Sequence, residues 1–188
     1  MTDDTTETMT DLVEQAVAFG FTAAAAMDPS AQEVREEVRA MCAADRCHSY
    51  NKSWACPPAC GTLDESREIL KRYQSGLVVQ TTGTLDDPYD YETMQALGKR
   101  QAKLVRRFRK EMSAQFGDVL TLGNGACTLC KECTYPSAPC KHPRRRILSM
   151  EAFGLVVTDV CRSSGLLYYY GPNTITYTGC YLLNPIGG

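Results

Sequence analysis

Apolar positions recur along the chain in two periods and divide it into helices and strands. Met9, Leu12, Val13, Ala16 and Phe19 stand at helical spacing over 8–19, with Gly20 as a stop, and a short strand follows over 21–27. Ser30 with Glu33 three residues later has the capping-box pattern and predicts a helix to about Ala40. Leu63, Ile69, Leu70 and Tyr73 predict a helix over 63–74, then come a strand over 76–82 and a turn at Asp86, Asp87 and Pro88. The longest stripe is Met94, Leu97, Leu104, Val105, Phe108, Met112 and Phe116, a helix over about 90–116 that Gly117 ends. A strand over 119–122 comes next, and Ser149 opens a partly helical stretch to Ser164. Residues 166–170 and 174–183, joined by Gly171, Pro172 and Asn173, read as a closing β-hairpin over about 166–183. The alternation predicts an α/β fold, with α+β as the alternative. It would be a single domain over 1–188, in which helices flank one mixed sheet.

Two stretches, about 42–61 and 123–143, carry neither period. They hold eight of the ten cysteines of this 188-residue chain. The acidic start, Met1 to Glu7, lacks the basic and apolar segments of a secretory signal. Ala16 to Met27 is too short and too interrupted to span a bilayer, so we expect a cytoplasmic protein with no membrane contact. In a reducing compartment, closely spaced cysteines favour metal ligation over structural disulfides.

The second group, Cys127, Cys130, Cys133 and Cys140, reads C-x2-C-x2-C-x6-C. Three thiolates at two-residue gaps can wrap three irons of a cubane, with a fourth from further away, whereas structural zinc draws on two separated pairs. Gly123 and Gly125 would let the backbone come close. Lys131, Lys141, Arg144, Arg145 and Arg146 would offset the roughly two negative charges of a thiolate-bound four-iron core; the alternative is that the glycines make a turn and these basic residues a solvated face. The first group, Cys42, Cys47, Cys56 and Cys60, is looser, C-x4-C-x8-C-x3-C. It fits a second four-iron four-sulfur cluster, a four-cysteine zinc site, or an arrangement shared with the other group. No C-x3-C-x2-C triplet of the radical type, P-loop or dinucleotide-binding glycine pattern is present.

The elements Cys42-x4-Cys47, Tyr50-Asn-Lys-Ser-Trp54-Ala-Cys56-Pro-Pro, Cys127-x2-Cys130-x2-Cys133-Thr-Tyr-Pro and Pro139-Cys140-Lys-His-Pro143 resemble the predicted metal-binding proteins catalogued as domain of unknown function 2284. Ser149-Met-Glu-Ala-Phe-Gly154 and Tyr168-Tyr-Tyr-Gly171 are similar to that family's C-terminal half. The resemblance implies that both cysteine groups are ligands and implies no substrate.

Other residues are expected to play smaller parts. His48 and His142 adjoin ligand cysteines, which already suffice, so a supporting or surface role is expected. Trp54 either shields a cluster or anchors its loop. Cys161 and Cys180 are expected to be inert core thiols, and Tyr168, Tyr169, Tyr170, Tyr177 and Tyr181 to pack a sheet. Net charge is −8 over residues 1–70, +7 over 71–150 and −1 beyond. The total of −2 does not suit a nucleic-acid binder. The basic helix residues Lys99, Arg100, Lys103, Arg106, Arg107, Arg109 and Lys110 form either a solvated face or a dock for an acidic redox partner. The sequence therefore points to one or two four-iron four-sulfur clusters that exchange electrons with a partner protein. A cluster-dependent enzyme with an open iron, and a zinc-stabilised interaction module, are the alternatives.

Overall fold

The computed structural model describes residues 2–186. Five strands form one mixed sheet: β1 (Ala23–Met27), β2 (Ser75–Thr84), β3 (Asp118–Gly123), β4 (Leu148–Ser149) and β5 (Thr174–Asn184), in the order β1-β2-β5-β3-β4. Only the β3–β4 pair is parallel. Alternation along the strands sends Leu77, Val79, Tyr181 and Leu183 to one face and Val78, Cys180 and Leu182 to the other. Both faces are covered. Helices α1 (Thr2–Phe19) and α4 (Tyr91–Gln115) pack Leu12, Ala16, Val105, Phe108 and Met112 on the first. Helices α3 (Leu63–Leu70), α5 (Met150–Phe153) and α6 (Val157–Ser163) pack Leu70, Met150, Phe153 and Val160 on the second. The result is the α/β sandwich the alternation predicts. No helix among the described residues is long and apolar enough to cross a membrane.

The structure corrects three expectations. Ser30 and Glu33 form no capping box, because Asp28 reaches Ser30 first, accepting from its N–H at 2.8 Å and its hydroxyl at 2.7 Å, and so caps a single 3-10 turn, Pro29–Ala31. The chain then stays extended: Val34 bridges Leu155, Arg35 N–H donates to the Gly154 carbonyl, and the helix α2 starts only at Glu36 (Glu36–Ala43). That delay carries Cys42 into the last turn of α2. Helix α3 ends at Leu70 rather than near 74, and Tyr73 beyond it donates to Asp118 at 3.0 Å.

The third correction is the closing hairpin. Residues 166–170 are not a strand. β5 is the centre of the sheet, with one edge taken by β2 and the other by β3, so no edge is left for its own upstream segment. Tyr168 and Tyr169 are consequently exposed, and Tyr170 donates instead to Gln80 Oε1 at 2.7 Å. Tyr177 and Tyr181 do pack the sheet, as expected, their hydroxyls donating to the carbonyls of Met94 and Val105 on α4. Cys161 and Cys180 are buried and unpaired, as expected of core thiols.

Candidate metal centre

The first cysteine loop leaves the C-terminus of α2 and returns at α3. Its tight path uses left-handed backbone at Asp45, His48 and Asn51, residue types that enter that region more readily than most. Asp45 accepts the Tyr50 N–H at 2.8 Å, and Asn51 N–H donates to the Pro57 carbonyl at 2.7 Å. Side chains and turns hold this loop, with no strand ladder in it. Cys56 and Cys60 are buried, Cys42 is half-buried and Cys47 exposed.

The second loop leaves β3 at Gly123 and comes back at β4. Gly123 serves the return rather than a ligand: a Cβ there would lie 3.1 Å from Ile147 Cγ2. The loop is braced on α4, where Arg106 donates to Thr128 Oγ1 at 3.1 Å and Arg109 to the Arg144 carbonyl at 2.8 Å. Its four cysteines are all half-buried, and Cys140 Sγ accepts the His142 N–H at 3.4 Å. Such N–H contacts to sulfur stabilise a thiolate and tune a cluster's potential.

The two loops, distant in sequence, close on one another. Packing of α2 on α5 starts the approach, and Arg39 of α2 ties three segments by donating to Ala152 O at 2.9 Å and Gly61 O at 3.0 Å. Trp54 then reaches across, its indole N–H donating to Ala138 O at 3.0 Å and its ring meeting Tyr135 edge-on at 5.0 Å. Arg146 answers from the other side with a 2.7 Å bond to the Trp54 carbonyl, and Tyr135 bonds Asn51. Trp54 thus anchors one loop to the other.

Between the loops lie two cavities that share Ser49 and Ala126 in their walls. One, of about 200 Å³, is lined by Cys127, Cys130, Cys133 and Cys140 together with Lys131 and Arg146; no carboxylate lines it. His48 and His142 stand on its wall as well. The other, of about 340 Å³, is lined by Cys42, Cys47 and Cys56 with Tyr50, Arg46 and Glu151. Gly125, in left-handed backbone, borders this second cavity and not the one its sequence neighbours form. Cys60 lines neither: its Sγ is 3.6 Å from Ala152 O. Seven of the eight cysteines therefore face a cavity.

Among the described residues no three His, Cys, Asp or Glu side chains converge on one point to hold a single metal ion. A zinc ion needs four donors within about 2.3 Å of one centre. A multi-iron core takes each thiolate on a different iron. Electrostatics fit a cationic centre. Burial pushes the Cys42, Cys56 and Cys60 thiols up, and at Cys42 the neighbouring Glu151 adds to the effect while Arg39 opposes it. Thiolates in such a place need positive charge beside them. Arg39 also keeps one buried nitrogen, Nη2, with no partner among the described residues, close to Cys42 and Cys60. An N–H of that kind suits a thiolate or sulfide acceptor. Neither Arg39 nor Glu151 stands out in the sequence, since nothing in spacing joins them to the cysteines.

A family model described as "Predicted metal-binding protein (DUF2284)" matches residues 25–183, a span that contains both loops. No curated protein and no solved structure matches the chain.

Proposed function

Because this chain belongs to the DUF2284 family of predicted metal-binding proteins, we propose that it is an iron–sulfur protein that passes single electrons to or from a partner. The observation that carries the reading is the cavity of about 200 Å³ walled by Cys127, Cys130, Cys133 and Cys140, with Lys131 and Arg146 beside them and no carboxylate. Four thiolates on a four-iron core are an anionic assembly, and this wall supplies cations beside it, while the C-x2-C-x2-C spacing is what favours a cubane over zinc. The cavity holding Cys42, Cys47 and Cys56 is the place for a second centre. When bound, a cluster supplies reversible one-electron chemistry. The chain's own part is to exclude water with Trp54 and Tyr135, and to hold charge near the sulfurs with Arg146, Arg39 and the His142 N–H.

The partner suited to this chain is an acidic electron carrier. Lys99, Lys103 and Lys110 form an exposed stripe on α4 beside Arg106, which bonds the second loop, and Lys131, Lys141, Arg144 and Arg145 continue the positive surface. None of these residues has an ion-pair partner among the described residues. Ten unpaired thiols suit the reducing cytoplasm.

Oxygen-free purification followed by iron and acid-labile sulfide analysis tests the reading. We expect brown protein with a broad visible band and about four or eight irons per chain. Colourless protein carrying stoichiometric zinc and no sulfide would overturn it.

A further inference from the structure

We infer that the first centre is held by Cys42, Cys47 and Cys56 with Glu151, and not Cys60, as the fourth side chain facing the metal. The inference rests on the iron–sulfur reading and goes beyond it by giving one iron an exchangeable ligand.

Three observations carry it. Cys42, Cys47 and Cys56 share the wall of the cavity of about 340 Å³ with Glu151, and Cys60 is absent from that wall. The Cys60 Sγ lies off that wall, 3.6 Å from the Ala152 carbonyl oxygen. Glu151 lies beside Cys42, and its carboxylate has no hydrogen bond or ion pair among the described residues. Arg39 donates Nε and Nη1 to the carbonyls of Ala152 and Gly61, and Arg46, on the same cavity wall, has no ion pair with Glu151 among the described residues. A carboxylate on the same wall as three thiols completes a set of four anionic donors, and a metal centre is the partner that such a set implies.

The chemical consequence follows from the donor type. Thiolate suits iron in these clusters, whereas a carboxylate is a harder donor and holds the fourth iron less firmly. That iron is then the one that leaves on oxidation: the cluster gives one electron to the oxidant, one ferrous ion departs, and a three-iron core stays on the three thiolates. It is also the iron at which a small molecule could replace the carboxylate, in a cavity whose other walls include Val38, Met41 and Tyr50.

The test uses the full chain, purified without oxygen, as wild type and as Glu151→Cys, Glu151→Ala and Cys60→Ala. Iron and sulfide are measured first, with circular dichroism as a check on folding. Each protein is then treated with ferricyanide and examined by electron paramagnetic resonance. We expect the wild type to give a three-iron signal from about half of its clusters, since the four-thiolate centre is protected. Glu151→Cys, with a fourth thiolate, should lose that signal, and Cys60→Ala should keep both its iron and the signal. Loss of about half the iron in Cys60→Ala, or an unchanged three-iron signal in Glu151→Cys, would overturn the inference. Should Cys60→Ala fail to fold, the Glu151→Cys comparison decides alone. A wild type without iron and sulfide would refute the iron–sulfur reading itself, which is a different outcome.

Discussion

Replacing Arg39 by Met keeps an unbranched stem while removing the guanidinium, and it separates the residue's structural role from its role toward the metal. The guanidinium donates to Ala152 O at 2.9 Å and Gly61 O at 3.0 Å, and the first of these carbonyls belongs to a residue only 2% exposed. Hydrogen bonds from charged groups contribute about 1.5–3 kcal/mol each. Against that loss stands the unpartnered Nη2, whose burial without a partner costs about 1–3 kcal/mol and is relieved by the substitution. The metal-free protein should therefore lose about 2–3 kcal/mol, read as a shift in the urea midpoint. In the loaded protein Nη2 gains an acceptor, and a further loss of about 1.5 kcal/mol is expected, roughly a tenfold weaker hold on the first centre. Chelator competition followed by iron analysis reads this second quantity. Iron held by Cys127, Cys130, Cys133 and Cys140, a cavity that Arg39 does not line, should be released at the wild-type rate. Equal iron retention in Arg39→Met and wild type, with the urea midpoint lowered, would refute the idea that Nη2 serves the metal.

Other expectations follow from separate parts of the molecule. Gly154 has φ of 100°, and a Cβ there would come within 2.7 Å of Leu63 Cδ2 and 2.8 Å of Val34 Cγ1, so Gly154→Ala should destabilise by about 2–4 kcal/mol in urea melts. The metal-free protein should lose stability in alkali. Burial raises the Cys180 thiol from 9.0 to about 12, so the unfolded chain releases this proton first. The contribution is full below pH 9 and falls between 9 and about 12, by up to about 1.4 kcal/mol per pH unit; a flat stability profile across that window would contradict it. Reversing Lys99, Lys103 and Lys110 to Glu should slow electron exchange with an acidic plant-type ferredoxin by about tenfold at low salt, and the difference should close near ~1 M salt. Stopped-flow rates that ignore both charge and salt would remove the docking face.

Local pattern and long-range arrangement were legible to different degrees in the sequence. Helices α1 and α4 follow from stripes such as Val105, Phe108 and Met112, because an amphipathic period of that length has one reading. The Ser30–Glu33 pair misleads because Asp28, two residues upstream, competes for the same N–H, and spacing does not rank competitors. The Tyr168–Tyr170 segment misleads for a different reason: whether a strand-like run finds an edge depends on where β5 sits in the sheet, which only the tertiary structure decides. At the site, Cys127, Cys130, Cys133 and Cys140 are marked as a set by their spacing, and the structure brings them to one cavity. Cys60 looks equivalent to Cys56 in the sequence but turns towards α5. Glu151 and Arg39 are joined to the cysteines only through the packing of α2 on α5.

The central position of β5 also has a temporal meaning. It is the strand that joins β2 to β3, and it is made after every other strand of the sheet. On a ribosome adding about 5–20 residues per second, Cys42 would precede Asn184 by on the order of ten seconds. During that interval the first-loop thiols, joined later by those of the second loop, belong to a nascent chain that lacks the strand joining the two parts of its sheet. The iron–sulfur reading therefore carries an expectation of order: cofactor loading follows the closing of the sheet by β5.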